Sequence, residues 1–256
     1  MKKLFEKNPL GFSLLWIGLY MSLMYIASLS CGGFVDLPSK TPLQMLVPAA
    51  CSLVLCTAST IWIFRSGLQT TFGLCGFRGK GKQFLWFSPL ILISCINLTN
   101  GLRLSASFSI SFLMALHFAL SGYMEELIFR GFLFRTMERK SLRSALIISA
   151  ASFGAGHIAN LFSSANTFGI VLQVLYATVI GFLFATIVYK GGSLWPCIAS
   201  HMFINATSVF AAEDGPFKQL VSFLFSDATL ALIELCSALF VILIAGGYAV
   251  WLWRKD

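Results

Sequence analysis

Residues 168–189, FGIVLQVLYATVIGFLFATIVY, form an uncharged and almost wholly apolar run. A helix of about 20 apolar residues crosses the hydrocarbon core of a bilayer, so this run is typical of a membrane span. The rest of the chain is similar, with 57% hydrophobic and 11% charged residues and a mean hydropathy of +0.83. A soluble domain carries about 25% charged residues. The sequence therefore predicts an integral membrane protein with a single membrane domain over residues 1–256.

Eight apolar segments are long enough to suggest helices: Leu10–Leu29, Leu43–Phe64, Phe84–Leu98, Phe108–Arg139, Leu142–Phe162, Phe168–Tyr189, Leu194–Ala212 and Ala228–Trp253. Only helices and closed barrels satisfy the backbone within lipid, and runs of this length and hydrophobicity are helices. We therefore predict an all-α membrane helix bundle with about eight transmembrane helices. The first segment is too long for the apolar part of a signal peptide, about 7–15 residues, so we expect it to stay as a helix.

The basic residues predict the orientation of this bundle. Fifteen of the eighteen Lys and Arg residues fall at the two termini and in alternate loops, one of which carries Arg65, Arg78, Lys80 and Lys82. Because cytoplasmic loops are enriched in Lys and Arg, both termini are predicted to be cytoplasmic. The net charge of +8 is then topogenic, and no nucleic-acid partner is expected. The seven Cys residues include no C-x-x-C pair and are interpreted as small apolar residues.

All three His residues of the chain, His117, His157 and His201, lie inside the apolar segments, and so do Glu125, Glu126 and Glu234. Such groups cost roughly 2.5–3.5 kcal/mol each on insertion scales and commonly mark functional sites. The alternative for any one of them is a polar contact between helices. That alternative suits His117, which could also line a cavity, whereas Glu234 has no evident partner in the sequence.

Glu125 and Glu126 are adjacent but point about 100° apart on a helix. Glu126 is four residues before Arg130, the favourable order for an ion pair. Glu125 lacks that partner, which makes it a candidate general base. Taken alone, the two glutamates could equally form an ion pair at a helix end.

Two further helices bring polar residues to the same depth. His157 and Glu125 are equidistant from the polar turn at residue 141, each about 20 Å from it, so they can face each other in an antiparallel hairpin. Gly154 and Gly156 permit close helix approach there, and Phe153 lies one turn from His157. His201 and Asn205 share one helical face, about 13 and 20 Å from the turn that precedes their helix. This convergence predicts a site.

The runs Glu125-Glu126-x-x-x-Arg130, Phe153-x-x-x-His157 and His201-x-x-x-Asn205 resemble the CPBP intramembrane proteases. This family includes the type II CAAX prenyl endopeptidases and the bacterial Abi-type proteins linked to bacteriocin self-immunity. The resemblance covers roughly residues 80–210, so residues 1–79 are expected to form two N-terminal transmembrane helices and a cytoplasmic loop.

The resemblance implies a role for each matching residue. Glu125 with His157 would activate the attacking water, His201 and Asn205 would bind the oxyanion, and Glu126, Arg130 and Phe153 would support the site. The sequence has no His-Glu-x-x-His motif, but Glu125, His157 and His201 could hold zinc with one open position. Activation of water by glutamate without a metal is the alternative.

The resemblance also implies a membrane-associated peptide or protein as substrate: a CAAX-type protein, a pheromone or a bacteriocin-like peptide. The bilayer is the other expected partner, and a multi-pass location in a bacterial plasma membrane is predicted. Two other functions fit the same residues. Glu and His chains also relay protons in transporters, and a non-catalytic immunity protein could use such a cavity for recognition.

Overall fold

The computed structural model describes residues 1–34, 37–79, 81–162, 166–212, 215–225 and 229–255. These ranges are mostly helical and contain no β-strand, although Leu102 and Ala211 form an isolated bridge. The all-α prediction is thereby confirmed. The predicted loop residue Lys80 and the predicted segment start Ala228 lie outside the described residues.

The α-helices, in chain order, are α1 (Lys2–Lys7), α2 (Pro9–Ser30), α3 (Pro42–Arg65), α4 (Leu90–Ser94), α5 (Phe108–Glu126), α6 (Arg135–Glu138), α7 (Leu142–Gly156), α8 (Thr167–Gly191), α9 (Trp195–Ser208), α10 (Pro216–Leu224) and α11 (Leu230–Trp253). A π-helix (Leu127–Phe134) joins α5 to α6, and 3₁₀ turns cover Leu37–Ser39, Gly81–Phe87, Ile96–Asn100 and His157–Phe162. Several helices begin where a side chain accepts a backbone N–H, as at Thr41, Ser141 and Asn166.

Within the described ranges, six helical stretches are long and apolar enough to cross a membrane: Pro9–Ser30, Pro42–Arg65, Phe108–Glu138, Leu142–Leu161, Thr167–Gly191 and Leu230–Trp253. A polytopic membrane protein is confirmed, whereas the predicted count of eight spans is not. In the third predicted segment, Pro89 interrupts the helix and leaves the five-residue α4 between two 3₁₀ turns. In the seventh, α9 has 14 residues and is about 21 Å long, shorter than the hydrocarbon core. The orientation of the termini stays a prediction.

The stretch Phe108–Glu138 lies at the centre of the bundle. Of its most apolar 18-residue window 61% is buried, against 11% for α11. α5 packs against α3 and α9, the π-helix packs against α2 and α7, and α8 contacts both α7 and α11. Gly154 allows the close contact of α7 with α8, because a Cβ there would collide with Thr178. The carboxyl end of α5, with its two glutamates, is therefore surrounded by helices.

Candidate active site

The two glutamates end α5, immediately before the π-helix. Every residue of that π-helix is buried, and π-helical turns are frequent at functional sites. Glu126 and Arg130 form the predicted ion pair across this junction, with Arg130 Nη1 2.9 Å from Glu126 Oε1. Both side chains are 0% exposed. The pair is therefore enclosed by protein rather than being a pair at an exposed helix end.

Aromatic rings cover the rest of the Arg130 guanidinium. Its Cζ atom lies 4.2 Å from the ring centroid of Phe153 and 5.6 Å from that of Phe184. No hydrogen bond from Arg130 Nε or Nη2 to another described residue is present. A desolvated cation over an aromatic face gains up to about 2 kcal/mol, which partly offsets those missing hydrogen bonds.

His201 of α9 lies between the two glutamates. Its Nδ1 atom is 2.8 Å from Glu126 Oε1, and its Nε2 atom is 3.5 Å from Glu125 Oε2. An ionised carboxylate can only accept hydrogen bonds, so we assign a proton to Nδ1, which donates it to Glu126. The imidazole of His201 is thus oriented by the enclosed Glu126 carboxylate and faces the Glu125 carboxylate.

Glu125 has hydroxyl partners that the sequence analysis missed. Its Oε1 atom accepts hydrogen bonds from Tyr20 Oη at 2.8 Å and from Ser121 Oγ at 2.9 Å. Glu125 lacks the arginine that pairs with Glu126, as predicted, and these two hydroxyls bind it instead. Tyr20 is buried in the middle of α2. Because a buried tyrosine hydroxyl usually finds a hydrogen-bond partner, its position inside an apolar run was the available signal.

Phe153 joins the two histidines of the site. Its ring meets His157 and His201 edge to face, with centroids 5.2 and 5.6 Å apart. His157 begins the 3₁₀ turn after α7, and its Nδ1 atom is 3.1 Å from the carbonyl oxygen of Phe153. A carbonyl can only accept, so His157 donates from Nδ1 and leaves Nε2 with a lone pair when neutral. No hydrogen bond between His157 and Glu125 is found in the described ranges; His201 is the histidine that faces Glu125.

Asn205 lies one turn beyond His201, as predicted. Its Nδ2 atom donates to the carbonyl oxygen of Phe118 at 3.2 Å. Gly122 makes this contact of α5 with α9 possible, because a Cβ there would lie 3.1 Å from the His201 carbonyl carbon and 3.2 Å from Asn205 Nδ2. The side chain of Asn205 stays half-buried.

A partly open cavity of about 500 Å³ adjoins these groups. His157, His201 and Asn205 line one part of its wall, and Glu125 is not among the lining residues. Volumes of roughly 300–1,000 Å³ are typical of ligand sites. A ligand in this cavity would therefore contact the two histidines and the asparagine.

The two remaining intramembrane ionisable residues have different surroundings. His117 contacts Ser52 Oγ at 2.8 Å and the Pro48 carbonyl oxygen at 3.2 Å, which confirms a packing role between α3 and α5. Glu234 accepts a hydrogen bond from Asn166 Nδ2 at 2.6 Å and lines the cavity. The sequence offered no partner for Glu234, and the structure supplies one from α8.

The predicted zinc ligands do not form a metal-binding group. In the described part of the chain, no three His, Cys, Asp or Glu side chains are arranged to hold a metal ion. Carboxylates face both ring nitrogens of His201, and Nδ1 of His157 bonds to a carbonyl. Zinc therefore stays a prediction.

Comparison with known protein families finds a match for part of the chain. Residues 106–207 match the Rce1-like type II CAAX prenyl endopeptidase family. The predicted resemblance is thereby confirmed for this segment, and the match indicates a membrane-bound protease. No curated protein and no solved structure matches the chain significantly. The Rce1-like segment contains all seven predicted site residues, whereas Tyr20 and Glu234 lie outside it.

Proposed function

We propose that the protein is an intramembrane endopeptidase that hydrolyses a membrane-associated peptide or protein. The observation that carries this proposal is the placement of His201 between Glu125 and Glu126, at 3.5 and 2.8 Å, on the wall of a cavity. A histidine oriented through Nδ1 by a buried carboxylate also occurs in Ser-His-Asp hydrolases. The Rce1-like match supports the same reaction.

In this mechanism Glu125 accepts a proton from a water molecule, and the water oxygen attacks the carbonyl carbon of the scissile bond. The neutral His157 assists as a second acceptor, because its Nδ1–H is donated to the Phe153 carbonyl and Nε2 is the basic atom. Glu125 then returns the proton to the leaving nitrogen as the carbon–nitrogen bond breaks. The products are a carboxylate and an amine.

His201 and Asn205 stabilise the oxyanion of the tetrahedral intermediate. When doubly protonated, His201 offers Nε2–H to the oxyanion, and the Glu126 carboxylate bonded to Nδ1 stabilises its positive charge. Asn205 uses one amide hydrogen for the Phe118 carbonyl and has a second to donate. Each such donor contributes about 10²–10³ in rate. Glu126 and Arg130 hold this arrangement without contacting the substrate.

The test is co-expression of the wild type or Glu125→Gln with CAAX-type, pheromone-like and bacteriocin-like peptides. The proposal expects a shortened peptide, detected by mass spectrometry, with the wild type alone. If the shortened peptide also forms with Glu125→Gln, Glu125 is not the general base. Solute uptake that depends on Glu125, with no shortened peptide, would show a transporter instead.

Metal analysis of the purified protein addresses zinc. The mechanism above expects full hydrolysis by metal-free protein. Stoichiometric zinc that is lost in His157→Ala, together with loss of hydrolysis on chelation, would replace glutamate-activated water by zinc-bound water.

A further inference from the structure

Besides the histidines and Asn205, the cavity described above has an acidic residue in its wall. Glu234, in the second turn of α11, lines the same cavity as His157, His201 and Asn205. Among the described residues, the cavity lining includes no Lys and no Arg. Within this described lining, Glu234 is thus an acidic group without a Lys or Arg side chain to neutralise it.

The carboxylate of Glu234 has a neutral partner rather than a cation. Asn166 donates to its Oε1 atom at 2.6 Å, and among the described residues no Lys, Arg or His forms an ion pair with it. An amide hydrogen bond leaves the full negative charge in place. Carboxylates within membrane spans normally pair with a positive group or lie on a substrate path.

The fold holds this carboxylate in a fixed position relative to the histidines. Asn166 is the N-cap of α8, where its Oδ1 accepts from the Gly169 N–H at 2.9 Å. Gln173 of the same helix lines the cavity and accepts from Asn160 at 2.9 Å. Asn160 belongs to the 3₁₀ turn that begins with His157. Helix α8, with its N-cap Asn166, thus contacts both Glu234 and the 3₁₀ turn that begins with His157.

We infer that Glu234 binds the cationic side chain of a lysine or arginine in the substrate peptide. The inference rests on the proposed function and adds a substrate class to it. Lys and Arg bury their aliphatic stems against apolar surface while the charged end reaches a polar partner. Leu172, Ile233 and Val241 are apolar residues of the wall of the same cavity. The backbone of the same peptide then reaches His157 and His201.

The test measures binding to the full chain in nanodiscs, with Glu125→Gln present so that no probe is cut. The probes are three fluorescein-acylated pentapeptide amides, Leu-Ala-X-Ala-Leu, in which X is lysine, norleucine or glutamate. Because a hydrogen bond to a charged group is worth about 1.5–3 kcal/mol, lysine should bind about tenfold to hundredfold more tightly than norleucine. The glutamate peptide should bind most weakly.

Glu234→Gln should remove the preference for lysine and leave the norleucine peptide unchanged. Glu234→Asp, which keeps the charge, and Ser237→Ala, which removes a neighbouring hydroxyl on the same helix, should retain it. Equal binding of the lysine and norleucine peptides, or a lysine preference that persists in Glu234→Gln, would overturn the inference. Cleavage is measured separately with the native Glu125, so a failure of the proposed protease function is distinguishable from a failure of this binding site.

Discussion

Two neighbouring glutamates occupy different regions of this bundle. We call the surroundings of Glu126 the closed side of the site, because Arg130 and the π-helix there are entirely buried. We call the surroundings of Glu125 the open side, because the Glu125 side chain keeps 18% exposure and accepts hydrogen bonds from the hydroxyls of Tyr20 and Ser121. The ring of His201 contacts both sides.

The difference assigns separate tasks to the two carboxylates. A carboxylate paired with a buried arginine cannot take up a proton without leaving that arginine unpaired. Hydroxyl groups can donate or accept, so they stay hydrogen-bonded whichever protonation state Glu125 adopts. The closed side therefore fixes geometry and stability, and the open side is the one able to exchange a proton with water.

The largest predicted effect comes from breaking the closed side. Glu126→Gln leaves the Arg130 charge buried without a counter-ion, which should lower the free energy of unfolding by about 3–5 kcal/mol and also lower activity. Thermal unfolding and peptide hydrolysis in the same proteoliposomes measure both. The matched control is Glu138→Gln, because Glu138 pairs with Arg135 at 3.0 Å with 22% and 11% of the two side chains exposed, so its loss should cost less than the loss of the fully buried pair. Equal stability of the two variants would contradict this role of Glu126.

A smaller effect is expected where the two sides are held together. Gly122→Ala introduces a Cβ 3.1 Å from the backbone of His201, so α9 must shift and carry His201 and Asn205 with it. Misplacement of catalytic groups by about 1 Å can cost 10²-fold, and we expect hydrolysis to fall about tenfold to hundredfold. The control is Gly18→Ala in α2, where a Cβ meets nothing within 4 Å. An unchanged rate in Gly122→Ala would show that the α5–α9 contact does not position the site.

The smallest predicted effect concerns the hydroxyls of the open side. Tyr20→Phe removes one of the two hydroxyl hydrogen bonds to Glu125 and should lower kcat about threefold to tenfold, since Ser121 still donates to the same carboxylate oxygen. Tyr123→Phe removes a hydroxyl bonded to Thr60 between α3 and α5, at a similar cost in stability. If both variants hydrolyse peptide at the same rate, Tyr20 has only a packing role.

Local patterns were the part of the site that the sequence could predict. The Glu126–Arg130 pair follows from the four-residue spacing within one helix. The depth of a residue in the membrane follows from its distance along the helix from the nearest turn. Which histidine faces Glu125 depends instead on how α7 ends. The chain enters a 3₁₀ turn at His157, whose Nδ1 bonds to its own helix, while α9 carries His201 against α5.

Long-range packing was the part that the sequence could not predict. Tyr20 reaches Glu125 across 105 positions in the chain, because α2 packs on the π-helix. Hydrophobicity alone likewise cannot distinguish a full span from a short helix such as α4 or α9. The contact of Tyr20 with Glu125 supports the proposal that residues 1–79 and the Rce1-like segment form one membrane domain.

The central claim is that Glu125 performs the chemistry while Glu126 maintains the fold, and Glu125→Gln tests it most directly. Its hydrolysis rate and its unfolding temperature are to be measured in the proteoliposomes used for Glu126→Gln. Loss of a general base costs about 10²–10⁴-fold in rate, so hydrolysis should fall by that factor while the unfolding temperature stays near that of the wild type. Wild-type hydrolysis by Glu125→Gln, or a loss of stability as large as that of Glu126→Gln, would contradict the account.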